Sequence, residues 1–143
     1  MKLKPTLRAL SVAGLLLASQ MASAQVAVIV NPKSSITSLT ADQAAGIFMG
    51  KSNTLPNGAT AAAADLPESN PAREQFYTKA AGKTAAQVKA TWARLTFSGK
   101  ATPPRELPSA AEVKKHVASH PDAIGYIEAS AVDGSVKSVL TVE

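Results

Sequence analysis

Residues 65–76, with the sequence DLPESNPAREQF, carry the side chains best suited to bind an anion. The pattern predicts the end of a strand, a polar turn and a helix that begins at Pro71 and is capped by Asn70 or Ser69. A helix start presents unpaired N–H groups and the positive end of the helix dipole. Arg73, in the first turn, adds a forked cationic donor. The stretch predicts an anion site, and the plainer alternative is the capped start of a surface helix.

The two histidines, His116 and His120, stand four residues apart on a predicted helix, a spacing that can chelate a metal ion. The chain has no cysteine to complete a ligand shell, and no carboxylate is spaced as in the two-histidine helical zinc motif. Histidines near a helix C-terminus also interact favourably with its negative end. We therefore predict no metal site and no cofactor.

Known catalytic motifs give no support for an enzyme. The sequence has no Gly-x-Ser-x-Gly elbow, no phosphate-cradling Gly-x-x-x-x-Gly-Lys and no Rossmann glycine pattern. No pattern singles out a pair of carboxylates of the kind that glycosidases use. The sequence predicts a protein that is not an enzyme.

Four amphipathic helices are predicted to frame these residues. Three of them open with a capping box, which places a hydroxyl at the cap and Gln or Glu three residues later. The boxes are residues 40–43, 84–87 and 109–112, and the remaining helix opens at Pro71. The predicted ends are marked by Gly50, Gly82, Gly99 and Pro121. An apolar stripe on each helix implies that each covers another layer.

Short apolar runs between these helices predict the strands, which are residues 26–30, 60–64, 124–127 and 136–142. Residues 97–108, with three prolines, are predicted as a long loop. Strands that alternate with helices favour an α/β domain with a mostly parallel or mixed sheet. Phe76, Tyr77 and Trp92 are predicted core residues, whereas the phenol of Tyr126 could face a cleft at a strand end.

Residues 1–24 have the pattern of a cleavable secretory signal, and residues 25–143 are predicted to form a single domain. A basic start precedes an apolar run over residues 9–18 and the small-residue cleavage pattern Ala22-Ser23-Ala24. The run is shorter than the roughly 20 residues of a membrane-spanning helix. The prediction is a periplasmic protein that is not inserted in the membrane after cleavage.

The charge of the chain depends on this leader. The formal net charge of +5 comes from 15 basic and 10 acidic residues, and loss of three basic residues with the leader reduces it to +2. The remaining basic residues are spread along the chain, and aromatic residues make up only 4% of it, too few for a nucleic-acid stacking platform. We therefore predict no nucleic-acid partner. The absence of cysteine also suits an oxidising compartment.

Several stretches resemble the periplasmic phosphate-binding proteins of phosphate ABC transporters. The matching stretches are residues 28–32, 39–43, 47–51, 123–127 and 132–137. The likeness extends over almost all of residues 25–143. It implies a three-layer α/β/α single lobe of the periplasmic binding protein type II, with a mixed sheet flanked by four helices. In the family such a lobe is one of two.

The family binds phosphate partly through an Arg-Ser-Asp-Gly-Ser-Gly-Thr-like turn that leads into a helix, and residues 65–71 correspond to it by position. Ser69 matches a family serine. Asp65 stands where the family has arginine, Asn70 replaces a glycine and Pro71 replaces a hydroxyl residue. Proline removes a donor, and a carboxylate opposes an anion. Arg73 is expected to compensate.

Two functions follow from these observations. The first is a substrate-binding protein for inorganic phosphate or a similar oxyanion, with an ABC transporter permease as partner. Its predicted ligand-binding residues are Ser69, Asn70, Arg73, Ser34, Ser35, Thr37 and Tyr126. The alternative is an interaction module that kept one lobe, lost the ligand and pairs with itself or another envelope protein. The reason for this alternative is the apolar surface that a missing lobe would leave uncovered.

Overall fold

The computed structural model describes residues 25–143, so the predicted secretory signal lies outside the described residues. One mixed sheet contains the strands β1 (Val26–Val30), β2 (Ala62–Asp65), β3 (Arg105–Glu106), β4 (Ala123–Glu128) and β5 (Lys137–Val142). Their order across the sheet is β3-β2-β4-β1-β5. Strand β1 runs antiparallel to β4 and β5, whereas β2 runs parallel to β3 and β4. Every residue of β1 is buried, as expected of a central strand with both faces covered.

The helices are α1 (Ala41–Phe48), α2 (Pro71–Phe76), α3 (Ala85–Phe97) and α4 (Ala110–Ser119). A π-helical turn (Tyr77–Ala81) continues α2, and a short 3-10 turn (Ala129–Ala131) follows β4. Both bonds of the capping box are present at Thr40 and at Thr84, and Ser109 accepts from the Glu112 amide. No helix within residues 25–143 has the length and hydropathy needed to cross a bilayer.

Strand β4 shows how the helices cover both faces of the sheet. Gly125 lies beneath α4, where an added Cβ would stand 2.6 Å from Val113 Cγ1. Tyr126 points to the other face, because neighbouring strand residues alternate. Its ring stacks on Phe76 of α2 with 4.3 Å between the ring centroids. The predicted three-layer α/β/α fold with a mixed sheet is confirmed.

The core on the α2 side of the sheet is aromatic. Four buried aromatic side chains pack against one another there, with 4.3 to 6.2 Å between the centroids of contacting rings. They are Phe48, Phe76, Tyr77 and Tyr126. The prediction of core positions is confirmed for Phe76 and Tyr77. Trp92 is only half-buried, and its indole N–H donates to the Phe48 carbonyl at 2.9 Å.

Two elements were not expected. Strand β3 lies inside the predicted loop over residues 97–108, and it pairs with β2 at Ala64 and Asp65. Its two residues are both charged and exposed, so the sequence lacks the alternation of apolar and polar residues that would predict a strand. The helix that begins at Pro71 is α-helical only as far as Phe76, and a π-helical turn begins at Tyr77. It ends at Gly82, as predicted, and the φ of 64° there is a left-handed conformation that glycine adopts readily.

Candidate functional site

Asp65, the last residue of β2, lies at the centre of a buried polar network and is 4% exposed. The Tyr77 hydroxyl donates to Oδ2 at 2.6 Å, and the Tyr126 hydroxyl donates to Oδ1. The Leu66 amide donates to Oδ1 at 2.9 Å, and Arg73 Nη1 lies 3.2 Å from Oδ2. One cation and three donors therefore compensate the buried carboxylate, as a charge in this environment requires.

Arg73 faces both the interior and a surface pocket. Its Nη1 also donates to the Leu66 carbonyl at 2.8 Å, and Cζ lies 5.3 Å from the centroid of the Tyr77 ring. The side chain is 13% exposed. Its Nε is buried without a hydrogen-bond partner among the described residues. The inner edge of the guanidinium is therefore occupied, whereas Nε retains an unused donor.

The two tyrosines act as neutral donors. Burial, reinforced by the charge of Asp65, raises the pKa of Tyr77 and of Tyr126 far above the ordinary value for a phenol. Tyr126 is fully buried, and its hydroxyl is directed at Asp65. The expectation that this phenol faces a cleft is corrected, because the adjacent buried carboxylate provides its acceptor within the core.

At the start of α2, the backbone amides already have partners within the chain. Asn70 Oδ1 accepts from the Ala72 amide at 3.0 Å, so Asn70 is the cap. The Arg73 amide is 3.1 Å from the Asn70 carbonyl, and the Asn70 amide donates to Pro67. Ser69 is exposed on the turn before the cap. The predicted capped start at Pro71 is present, but these amides do not form an open anion cradle.

A pocket of about 240 Å³ has Arg73 among its lining residues. Its charged lining residues are Asp65, Glu68, Arg73, Lys89 and Glu106, and Trp92 and Pro103 contribute to its walls. Three carboxylates therefore face two cations. An anion in this pocket would meet the Arg73 donor but would be opposed by the surplus of negative charge.

The structure does not bring Ser34, Ser35 and Thr37 to this pocket. Strand β1 runs opposite to β2, so the chain leaves β1 at the edge where β2 begins. The Ser35 hydroxyl accepts from Asn57, in the loop before β2. Thr37 precedes Leu39, whose amide donates to β5, and β4 and β1 separate that strand from β2. We expected these residues to lie near Asn70, and this expectation is wrong because β1 and β2 run in opposite directions.

The histidine pair forms a local contact on α4. The ring centroids of His116 and His120 are 4.2 Å apart, and His120 Nδ1 lies 2.7 Å from the His116 carbonyl. Partial burial lowers the pKa of His116, and the neighbouring His120 and Arg105 lower it further. No group of three or more potential metal ligands was found within residues 25–143.

The pairing of Asp65 with Arg73 was missed by the sequence-based reasoning, which placed the two side chains at one surface site. A signal was available, because Arg73 and Tyr77 are four residues apart and lie on one helical face. Tyr77 was already a predicted core residue. A carboxylate at the end of the preceding strand is therefore a natural partner for that face.

No family model and no curated protein matches the chain. Solved structures do match it. They include a protein from Clostridium perfringens described as a phosphate ABC transporter substrate-binding protein with bound phosphate, at a TM-score of 0.66 and 22% identity. An ABC-type phosphate transport receptor from Vibrio cholerae gives 0.64 and 22%, and PstS from Borrelia burgdorferi gives 0.60 and 18%.

Each match covers 81% of this chain but only 45%, 46% and 47%, respectively, of the other protein. The chain thus spans less than half the length of the proteins that it resembles. At these identities the likeness establishes the fold. The resemblance to phosphate-binding proteins is confirmed at that level, since the chain shares the fold of part of each of these proteins.

Proposed function

We propose that this domain is a periplasmic substrate-binding domain that binds phosphate or a related oxyanion beside Arg73. The observation that carries the proposal is the buried Nε of Arg73, which has no hydrogen-bond partner within residues 25–143, while Arg73 is a lining residue of a pocket of about 240 Å³. A buried cationic donor without an acceptor is costly. A bound oxyanion would supply that acceptor, and Arg is the side chain best matched to oxyanion geometry.

In this proposal Asp65 positions the arginine. The carboxylate and the Leu66 carbonyl hold Nη1, which leaves Nε for a ligand. Ser69 and Asn70 flank the start of the same helix, but neither is a lining residue of the pocket. The proposed site is smaller than the one expected from the sequence and leaves out Ser34, Ser35, Thr37 and Tyr126. The first three follow β1, whose direction is opposite to that of β2, and Tyr126 is buried.

The acidic lining predicts which anions are accepted. Glu68 and Glu106 carry carboxylates that line the pocket with Asp65, and they oppose a fully ionised anion. An oxyanion that keeps a proton can instead donate a hydrogen bond to one of these carboxylates. Phosphate carries a proton at neutral pH and sulfate does not, so phosphate should bind more tightly. The pocket is small and open, and a dissociation constant of about 1 mM is expected.

The wider context of the proposal comes from the structural neighbours. Phosphate transport appears in the descriptions of two of them, and neither of these two is described as an enzyme. They support a role together with an ABC transporter. Our proposal adds export to the periplasm and contact with the permease of that transporter. The surface gives little support to the alternative function as an interaction module. Phe97 is the one large apolar side chain exposed within residues 25–143, and one residue does not form an apolar patch.

Calorimetric titration of residues 25–143 with phosphate and with sulfate tests the proposal. The informative variant is Arg73→Lys, which keeps a cation for Asp65 but removes Nε and the fork. Wild type should give saturable heat with phosphate at millimolar concentration, and Arg73→Lys should lose most of it. The control is Arg94→Ala, which removes an exposed arginine from α3. An absence of heat from wild type, or equal binding by Arg73→Lys, would refute the proposed site.

A further inference from the structure

A second and larger cleft, of about 800 Å³, shares Trp92, Pro103 and Pro104 with the Arg73 pocket as lining residues. Its walls come from the loop after α1, the first half of β2, residues 99–105 and one side chain of α4. We name it the basic cleft after its lining residues Lys51, Lys100, Arg105 and His116. It contains neither Arg73 nor the start of α2.

The charges of the basic cleft are all of one sign. Lys51, Lys100 and Arg105 line it together with His116, and no Asp or Glu does. Within residues 25–143 the ion pairs join Arg73 to Asp65 and Lys114 to Asp133, so the cleft cations have no ion-pair partner there. The Arg73 pocket, in contrast, carries three carboxylates. A concave surface lined by one sign of charge concentrates counter-ions.

The shape of the basic cleft gives room for an extended ligand. Strand β3 pairs with β2 only at Ala64 and Asp65, so the preceding part of the β2 edge is left uncovered by that strand. The floor there is residues 61–63, all alanine. Pro103 and Pro104 have fixed φ angles and stiffen one wall. A volume of about 800 Å³ is that of a small-molecule site and exceeds what one phosphate group fills.

We propose that the basic cleft binds a linear oligophosphate, an anion in which several phosphoryl groups follow one another. Lys51 comes from the loop after α1, and Lys100 and Arg105 lie five positions apart in the wall segment 99–105, so separate charges along one ligand can each meet a cation. Lysine provides point charges for phosphoryl oxygens, and the arginine fork can bind two of them at once. This site does not depend on the proposed function beside Arg73.

Titration of residues 25–143 with inorganic tripolyphosphate tests this inference. Calorimetry gives the affinity, and the fluorescence of Trp92, the only tryptophan, reports on the cleft that its side chain lines. The double variant Lys100→Ala/Arg105→Ala should weaken binding by about tenfold or more, because each removes a charge-assisted contact. The control Lys79→Ala/Arg94→Ala removes one lysine and one arginine from exposed positions outside the cleft lining, and it should retain near wild-type affinity.

The variants also separate this site from the Arg73 site. Arg73→Lys should keep tripolyphosphate binding, and Lys100→Ala/Arg105→Ala should keep the heat of orthophosphate binding. The inference is overturned if wild type does not bind tripolyphosphate. It is also overturned if both double variants lose affinity equally, which would indicate net charge alone, or if Arg73→Lys abolishes binding, which would assign the ligand to the smaller pocket.

Discussion

At the scale of single residues, the proposed site depends on where Asp65 directs its carboxylate. The resemblance described above aligns an acid in this sequence with an arginine of phosphate-binding proteins, which predicts repulsion at an anion site. The structure instead buries that carboxylate with Tyr77, Tyr126 and Arg73. Residue types predicted the charges present at this turn. The contact of Asp65 with Tyr126 could not be predicted, because it depends on β2 and β4 being neighbours and joins residues 61 positions apart.

Replacement of Asp65 by Asn should destabilise the domain strongly. The variant leaves Arg73 as a largely buried cation without its carboxylate, and removal of one partner of such a pair costs about 3–5 kcal/mol. Urea unfolding of residues 25–143 measures the change. Asp133→Asn is the matched control, because its partner Lys114 is at 2.8 Å in an exposed ion pair, and its unfolding midpoint should stay close to wild type. A small effect of Asp65→Asn would show that the buried pair is not a stabilising unit.

The buried phenols predict loss of stability in alkali. The pKa values of Tyr77 and Tyr126 are raised by folding, so both states are protonated below pH 10 and only the unfolded state ionises above it. The unfolding free energy should therefore fall from pH 10 upward, by about 1.4 kcal/mol per pH unit for each tyrosine. Tyr77→Phe should make this slope shallower by one such contribution in urea titrations at pH 9, 10 and 11. An unchanged slope would contradict the assignment.

At the scale of elements, helix starts were predicted better than strands. Thr40, Thr84 and Asn70 occupy cap positions as expected, because a cap is set by residues within one turn. Strand β3 was missed, since its two charged residues become a strand only through pairing with β2. The π-helical turn at Tyr77 has no local signal in our interpretation of the sequence. Local chemistry therefore predicted element boundaries, and non-local pairing supplied the remaining elements.

The contact of α4 with β4 predicts opposite effects for two Gly→Ala changes. At Gly125 the new Cβ would stand 2.6 Å from Val113 Cγ1, and such overpacking costs about 1–3 kcal/mol. At Gly46, inside α1, a Cβ meets nothing within 4 Å, and higher helix propensity should stabilise by up to about 1 kcal/mol. Thermal unfolding of the two variants checks the signs. Equal effects would show that α4 does not pack closely on Gly125.

At the scale of the whole molecule, the fold could be predicted from the sequence more completely than the site. The α/β/α architecture could be predicted from the alternation of helices and strands together with the resemblance at residues 28–32, 39–43, 47–51, 123–127 and 132–137. Prediction of the site would have required knowledge of the direction of each strand in the sheet. Ser34 and Asn70 lie on loops that leave β1 and β2 at opposite edges, because the two strands are antiparallel in direction. Loop residues therefore could not be grouped into one pocket before the topology was known.

The surface as a whole predicts that residues 25–143 are monomeric in solution. A stable interface buries about 1,000 Å² or more around an apolar centre. Phe97, at the end of α3, is 95% exposed, and it is the one large apolar side chain exposed in the described part of the chain. Size-exclusion chromatography with light scattering should therefore give the monomer mass at micromolar concentration, for wild type and Phe97→Ser alike. A wild-type dimer that Phe97→Ser converts to a monomer would instead show that α3 mediates self-association, and it would favour the interaction-module function over oxyanion binding by an isolated domain.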